Sequence, residues 1–303
     1  MRIVVGGASG MIGGAVVEQL RERGDTVVRL VRRASESAGE VSWDPASGYL
    51  DPDALAGADA VVNLSGDSLS RLPWTKRRRA DILASRVTAT TAIVGALHER
   101  ARRGDPVGVL VSGSAVGVYG TRPGEILTET SAPGGGFLAE VVRAWEAAAG
   151  GAPDVTRVVL ARTGLVVGPV GATAPLRLLA RLGVAGPVGT GRQHWPWIAL
   201  ADEAAAIVHL VDSELAGPVN LVGPEPATAA ELIRAIARQQ GRPYWLPAPS
   251  AAVAGALGAA GRELLLADQL IAPEALVADG FAFAFRTVEE AVAATPRRPR
   301  ERT

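Results

Sequence analysis

The stretch Arg2-Ile-Val-Val-Gly-Gly-Ala-Ser-Gly-Met-Ile-Gly13 decides how the rest of the chain is read. Residues 2–6 are a short apolar run rich in β-branched side chains, the pattern of a parallel strand buried on both faces. Gly7, Gly10 and Gly13 follow at G-x-x-G-x-x-G spacing, and Ala15, Val16, Val17 and Leu20 then fall at helical intervals. Strand, glycine turn and helix in that order make a cradle for a diphosphate. Gly7 permits the sharp turn, Gly10 lets a pyrophosphate approach the backbone, and Gly13 lets the helix pack on the strand. The helix N-terminus adds free N–H groups and a positive partial charge. The expected contacts are Gly7, Ser9, Gly10, Met11, Ile12 and Gly13, and the expected ligand is a dinucleotide.

Outward from this loop, strands and helices alternate. Thr26 to Val31 reads as a second strand, and it ends in Arg32-Arg33 rather than an acid. Asp or Glu at that place bonds the ribose 2′-hydroxyl of NAD, whereas arginine accommodates the 2′-phosphate of NADP, so NADP (NADPH) is the expected cofactor. Ala60 to Leu64 reads as a third strand, after an excursion over 41–59. It closes in Asn63-Leu-Ser-Gly66, small residues at the carboxyl end where ligands bind in open sheets. A long helix over 75–103 carries Arg86, which either points toward the phosphates or makes a surface ion pair. Val107 to Val111 is a fourth strand, leading into Ser112-Gly-Ser-Ala-Val-Gly-Val-Tyr-Gly120, where a nicotinamide would lie. A helix over 137–149, a strand over 157–161 and the turn Arg162-Thr-Gly164 follow.

This alternation predicts an α/β fold, a Rossmann-type doubly wound parallel sheet over 1–168 completed by segments near 197–222. Residues 169–303 are expected to form a smaller mixed α/β lobe. Within it, 189–198 reads as an aromatic loop, 201–211 and 227–239 as helices, 219–222 as a strand, and 250–261 and 262–271 as packed helices. The terminal Arg297–Thr303 reads as a frayed tail.

Composition excludes several classes. The 303 residues are 48% hydrophobic and 20% charged, which supplies a large core and argues against disorder. Uninterrupted apolar runs fall short of the ~18 residues of a membrane helix. A strand starting at residue 2 leaves no room for a signal peptide. With no cysteine there is no thiol nucleophile, disulfide framework or thiolate metal site. The expectation is a cytoplasmic protein, monomer or homodimer, acting on a small-molecule substrate without metal. Formal charge is zero, which argues against nucleic-acid and membrane-surface roles. The basic run Lys76-Arg-Arg-Arg79 reads as a solvated helix face.

Taken together, these motifs resemble the short-chain dehydrogenase/reductase superfamily in its extended, epimerase-like form. The resemblance rests on Gly7 through Gly13, Asn63 through Gly66, Ser114 through Gly120, Arg162 through Pro169, and Trp197-Ile198 through Asp202. Ser42-Trp-Asp44, Trp74 through Arg86, Phe137 through Glu146, Gly191-Arg-Gln193, Leu264 to Pro273 and Gly280-Phe281 resemble, more narrowly, an NAD(P)-dependent epimerase-like subfamily with its own C-terminal domain. The resemblance implies NADP contacts at Arg32, Leu64, Ser65, Arg86 and Val166. Arg33 and Gly66 stand beside these and join the candidate set.

The catalytic pattern departs from the superfamily's. Its Tyr-x-x-x-Lys pair would fall at Leu138 and Val142, and neither side chain can move a proton. The three tyrosines are Tyr49, Tyr119 and Tyr244, and the single lysine, Lys76, follows none of them by four. Ser114 matches the serine that polarises substrate, and Tyr119 is the candidate displaced acid or else a hydroxyl satisfying its own loop. His194 is either a further acid–base group or packing, while Glu129 and Glu146 are bases or else cap and pair. The arginine that many sugar-nucleotide members carry is replaced by Trp195, and Ala199 replaces a histidine. Arg192 is left to meet an anionic substrate, and Trp195 and Trp197 either wall a pocket or pack the lobes. Two functions follow: an NADP-dependent epimerase or oxidoreductase acting on a small carbonyl or sugar-like, possibly nucleotide-sugar, substrate, or a catalytically weak NADPH-binding redox sensor.

Overall fold

Ile3, Val4 and Val5 show why the opening strand lies mid-sheet: all are fully buried, with Ile3 and Val5 in one core and Val4 in the opposite one. Alternate side chains of a strand point to opposite faces, so an all-apolar run needs cover on both sides. The computed structural model describes residues 1–296, and the tail at Arg297–Thr303 lies outside the described residues.

The first half runs β1 (Arg2–Gly6), α1 (Met11–Glu22), β2 (Thr26–Val31), β3 (Glu40–Ser42), β4 (Ala60–Asn63), α2 (Lys76–Arg102), β5 (Val109–Ala115), β6 (Ile126–Leu127), α3 (Phe137–Ala149) and β7 (Arg157–Thr163). The second runs β8 (Leu165–Val167), α4 (Ala174–Arg181), β9 (Trp197–Ala199), α5 (Leu200–Asp212), β10 (Gly217–Leu221), α6 (Ala229–Gln239), α7 (Ser250–Ala260), β11 (Leu270–Ile271), α8 (Glu274–Ala278) and α9 (Val288–Ala294).

Seven strands form one sheet in the order β10-β7-β5-β4-β1-β2-β3, with every pair parallel. The order reverses between β1 and β4, and the crevice above their carboxyl ends is where such sheets take ligands. On one face, Val16, Val17 and Leu20 of α1 meet Ile207 and Leu210 of α5 over Ile3, Val5 and Val62. On the other, Ile93 and Leu97 of α2 and Leu55 cover Val4, Val28, Val61 and Leu110. Although α2 is long and apolar enough to cross a bilayer, Ile82, Ala89, Ile93 and Leu97 bury its inner face on the sheet side.

A second core joins α4, α6, α9 and the β8–β9 pair through Leu176, Leu232, Ile236, Val292 and the buried Trp195 and Trp197. Several elements differ from the sequence reading: β5 runs on through Ser112–Ala115, Arg162 and Thr163 continue β7 rather than turn, and β6, β8 and α4 are additional. Strand β3 runs into the expected excursion; its most buried residue is the acid Glu40, and only Val41 packs against the core. Trp197–Ala199 is a strand, and 262–271 is a π-helical turn followed by β11 rather than a helix.

Candidate functional site

The glycine loop is built as a cradle. Gly7 has φ +79°, and a Cβ there would lie 2.5 Å from the Leu64 carbonyl oxygen. A Cβ on Gly13 would lie 2.3 Å from the Gly7 carbonyl oxygen, so α1 can approach β1 only with glycine at that position. Gly10 is different. It is exposed, it caps α1 without a side-chain hydrogen bond, and only the Gly7 carbonyl lies near the Cβ it lacks. The first N–H groups of α1 are therefore capped by no side chain, the arrangement that receives a phosphate. Ser9 is exposed on the loop, Ile12 packs toward the core, and Met11 reaches Gly168 and Gly171 just past β8. Val166 is buried within β8 and pairs with Ile198.

From β4 the chain passes directly over this loop. Leu64 N–H donates to the Gly6 carbonyl at 2.9 Å, and Ser65 lies beside Gly6 and Gly7. Gly66 lies under the side chain of Arg86, which would contact a Cβ there at 3.3 Å. Arg86 donates to the Ile82 carbonyl, stacks on Trp145 at 5.3 Å, and forms no ion pair among the described residues. Burial lowers its pKa to about 10, Asp67 pulling the other way. A guanidinium desolvated without a bonded carboxylate fits an anionic ligand. Trp145 continues the wall, since a Cβ on Gly113 would meet its ring at 2.9 Å.

At the end of β2 the two arginines part company. Arg33 donates two bonds to Glu40, of 2.8 and 2.9 Å, and Arg29 donates a third of 2.6 Å. The Arg33 bonds foremost, then the Glu36 N–H at 3.0 Å, with the charge of Arg29 behind them, bring the Glu40 pKa down to about 2 against the cost of burial. Arg33 is thus engaged by a carboxylate, while its side chain stays half-exposed at the end of β2. Arg32 is exposed and makes no hydrogen bond or ion pair among the described residues.

Below the carboxyl end of β5 lies a polar network. Ser114 donates to Glu146 Oε1 at 2.6 Å, and Arg162 grips both oxygens of that carboxylate at 2.8 and 2.9 Å. Arg162 also donates to the Tyr119 hydroxyl at 2.8 Å, and Tyr119 donates to Asn220 Oδ1 at 2.7 Å. Asn220 reaches the Ala272 carbonyl, while Glu129 accepts the N–H groups of Asn220 and Ala275. Burial opposes the charge on Arg162, but Glu146 and Tyr119 together hold its pKa above the ordinary value. Tyr119 is fully buried, and burial raises its pKa against the pull of Arg162. It is no displaced acid: its hydroxyl is enclosed and both its hydrogen-bond roles are filled. Leu138 and Val142, at the missing pair's places, pack against Gly117 and with Val116, Val118 and Tyr119.

Several polar residues of this region escaped the sequence reading. Arg162 and Asn220 each interrupt an apolar strand, and a polar residue inside a buried strand was the available signal. Glu203, fully buried on α5, lay in a helix whose other positions are mostly apolar. Trp195 and Trp197 are core residues, their N–H groups donated to the Leu265 and Glu225 carbonyls.

The strand order, the cradle at the sheet's reversal and the serine closing β5 define an extended short-chain dehydrogenase/reductase with a Rossmann-type α/β fold. The chain belongs to the NAD dependent epimerase/dehydratase family, whose model matches residues 3–223, and a domain of unknown function, DUF1731, matches 248–295. Over 300 residues it is 39% identical to the epimerase family protein Mb2239 of Mycobacterium bovis, covering 98% of each chain. A crystal structure of the human epimerase family protein SDR39U1 (isoform 2) with NADPH superposes with TM-score 0.88 at 31% identity, covering 97% of this chain and 98% of that one. A nucleoside-diphosphate sugar epimerase from Corynebacterium glutamicum superposes with TM-score 0.78 at 31% identity, covering 97% of this chain and 57% of the other.

Proposed function

We propose that the chain binds NADP(H) in the β1–β4 crevice and acts as an oxidoreductase or epimerase on a small carbonyl or sugar-like compound. The observation that carries the cofactor assignment is the contrast at the end of β2: Arg33 is engaged by Glu40, whereas Arg32 is exposed and unpaired among the described residues. The human relative crystallised with NADPH supports the same choice. The N-terminus of α1, just past Gly10, would hold the diphosphate, Arg32 the 2′-phosphate, and Arg86 a further anionic oxygen. When bound, the nicotinamide supplies hydride acceptance or donation.

Proton handling falls to this chain's own groups. Ser114 donates its hydrogen to Glu146, so its oxygen presents lone pairs to a substrate. A substrate hydroxyl would pass its proton to Ser114 Oγ while the serine's own proton moves to Glu146 Oε1, and carbonyl reduction would run the relay backwards. Arg162 keeps the Glu146 carboxylate in place for that transfer. The alternative, a catalytically weak NADPH sensor, is favoured by the apolar Leu138 and Val142.

Calorimetric titration tests the cofactor assignment. NADPH should bind at least roughly tenfold tighter than NADH, as one charge-assisted phosphate bond provides. Arg32→Glu should abolish the difference, and equal affinities in the unaltered protein would remove Arg32 from the site. Turnover of a carbonyl and nucleotide-sugar panel, followed at the nicotinamide absorbance and by product epimerisation, separates enzyme from sensor.

A further inference from the structure

A cavity of about 410 Å³ opens on the C-terminal lobe between the turn at 189–194 and the segment leading into β11. Arg192, His194 and Asp268 line it with Thr190 and Ser250. Gly189 and Gly191, at φ +60° and +71°, shape the turn, and a Cβ on Gly189 would press on Ser250 Oγ at 3.0 Å.

Within it His194 and Asp268 form a fixed pair. Asp268 Oδ1 accepts the His194 backbone N–H at 2.8 Å and faces its Nδ1 at 3.0 Å. A ring nitrogen facing a carboxylate carries the proton, which leaves the lone pair of the neutral ring on Nε2. That nitrogen has no partner among the described residues. Asp268 is itself anchored: its N–H donates to Thr121 Oγ1 at 3.0 Å, and its carbonyl accepts from Arg122 N–H at 2.9 Å. Gln269 next to it donates to the Val116 and Gly120 carbonyls, on the loop that leaves Ser114. Arg192 is exposed and makes no ion pair among the described residues.

We infer that this cavity binds a small hydroxylated anion, a carboxylate or a phosphate. Arg192 holds the anionic group, and His194 Nε2 accepts the hydrogen of a neighbouring hydroxyl. Asp268 is a positioning residue that sets the tautomer. A guanidinium and an imidazole nitrogen with a free lone pair, two residues apart on one loop, recognise a pair of groups that neither would recognise alone. The inference stands on the cavity's own residues and does not depend on the cofactor reading above.

The test uses the full chain labelled with ¹⁵N-histidine. Three histidines are present, and His194→Gln assigns the resonance. The unaltered protein should show the Nδ1–H form at His194, and Asp268→Asn should lose it. Glycolate and glycerol phosphate, each carrying a hydroxyl beside its anion, are the probes that separate carboxylate from phosphate, with acetate and inorganic phosphate as controls lacking the hydroxyl. At least one probe should shift Nε2 saturably and more tightly than its control. Arg192→Leu should weaken that probe roughly tenfold or more while leaving the tautomer alone. An Nε2–H form in the unaltered protein, silence toward both probes, or equal affinity in Arg192→Leu overturns the inference. NADPH affinity measured on the same samples keeps the two readings apart. Its loss alone removes the cofactor assignment, and its presence beside a silent His194 removes only this one.

Discussion

Glu203 offers the sharpest physical test of the structure. Its side chain is fully buried on α5, Oε1 accepts a 2.7 Å bond from Thr163 Oγ1, and Oε2 has no partner among the described residues. Burial pushes its pKa up from 4.5 to about 8, with the Thr163 bond only partly opposing. The folded protein therefore holds a proton that the unfolded chain releases. A raised folded-state pKa gives a contribution that is complete below about pH 4.5 and lost as pH rises through 8. Near pH 7 the gap from 4.5 amounts to about 3 kcal/mol lost relative to acid, with a slope approaching ~1.4 kcal/mol per pH unit between the two values.

Glu203→Gln keeps an oxygen for Thr163 and removes the titration. The amide nitrogen lacks a partner, which costs ~1–3 kcal/mol, but that offset does not vary with pH. The slope is thus the readout. Urea unfolding at several values from about pH 5 to 8 should show the unaltered protein losing ~2–3 kcal/mol more than the variant by about pH 7. Parallel profiles for the two proteins would refute the burial of an ionisable, unpaired carboxyl at this place.

Three further outcomes follow from the site. Gly7→Ala places a methyl 2.5 Å from the Leu64 carbonyl at φ +79°, so it should destabilise by ~2–4 kcal/mol and abolish NADPH binding, read by thermal unfolding and calorimetry. Tyr119→Phe removes the hydroxyl between Arg162 and Asn220 and should cost ~1–3 kcal/mol in urea unfolding, with NADPH affinity unchanged. Glu146→Gln breaks a buried ion pair and should cost ~3–5 kcal/mol, a loss that the double variant with Arg162→Met largely recovers.

What the sequence made legible was whatever repeats a periodic or spaced pattern. β1, β2 and α3 lie where the apolar runs end, and the cradle follows from three glycines and their flanks. Long-range pairings left no such trace. Glu40 disguised β3 because its inward acid answers two arginines, Arg29 and Arg33, that precede it in the chain. For the same reason the sequence could not divide Arg32 from Arg33: one is engaged only because β3 lies beside β2. His194 read as a lone histidine, since its partner Asp268 is seventy-four residues away. Tyr119 suggested an acid because its enclosure depends on Asn220, contributed from the sheet's edge strand.

The buried network explains how this chain holds its site while lacking the superfamily's tyrosine and lysine. Glu146, Arg162, Tyr119 and Asn220 tie α3, β7, the loop after β5 and β10 to the segment between β11 and α8. Each member's buried polar atoms are bonded by another, so any one alone would be left unsatisfied. Leu138 and Val142 sit outside this set, in apolar contact with the loop after Ser114. Ser114 belongs to both network and cleft, since its proton is held by Glu146 while its oxygen stands at the carboxyl end of β5. Under the proposed relay, that serine and that carboxylate would be the bonded route for a substrate proton.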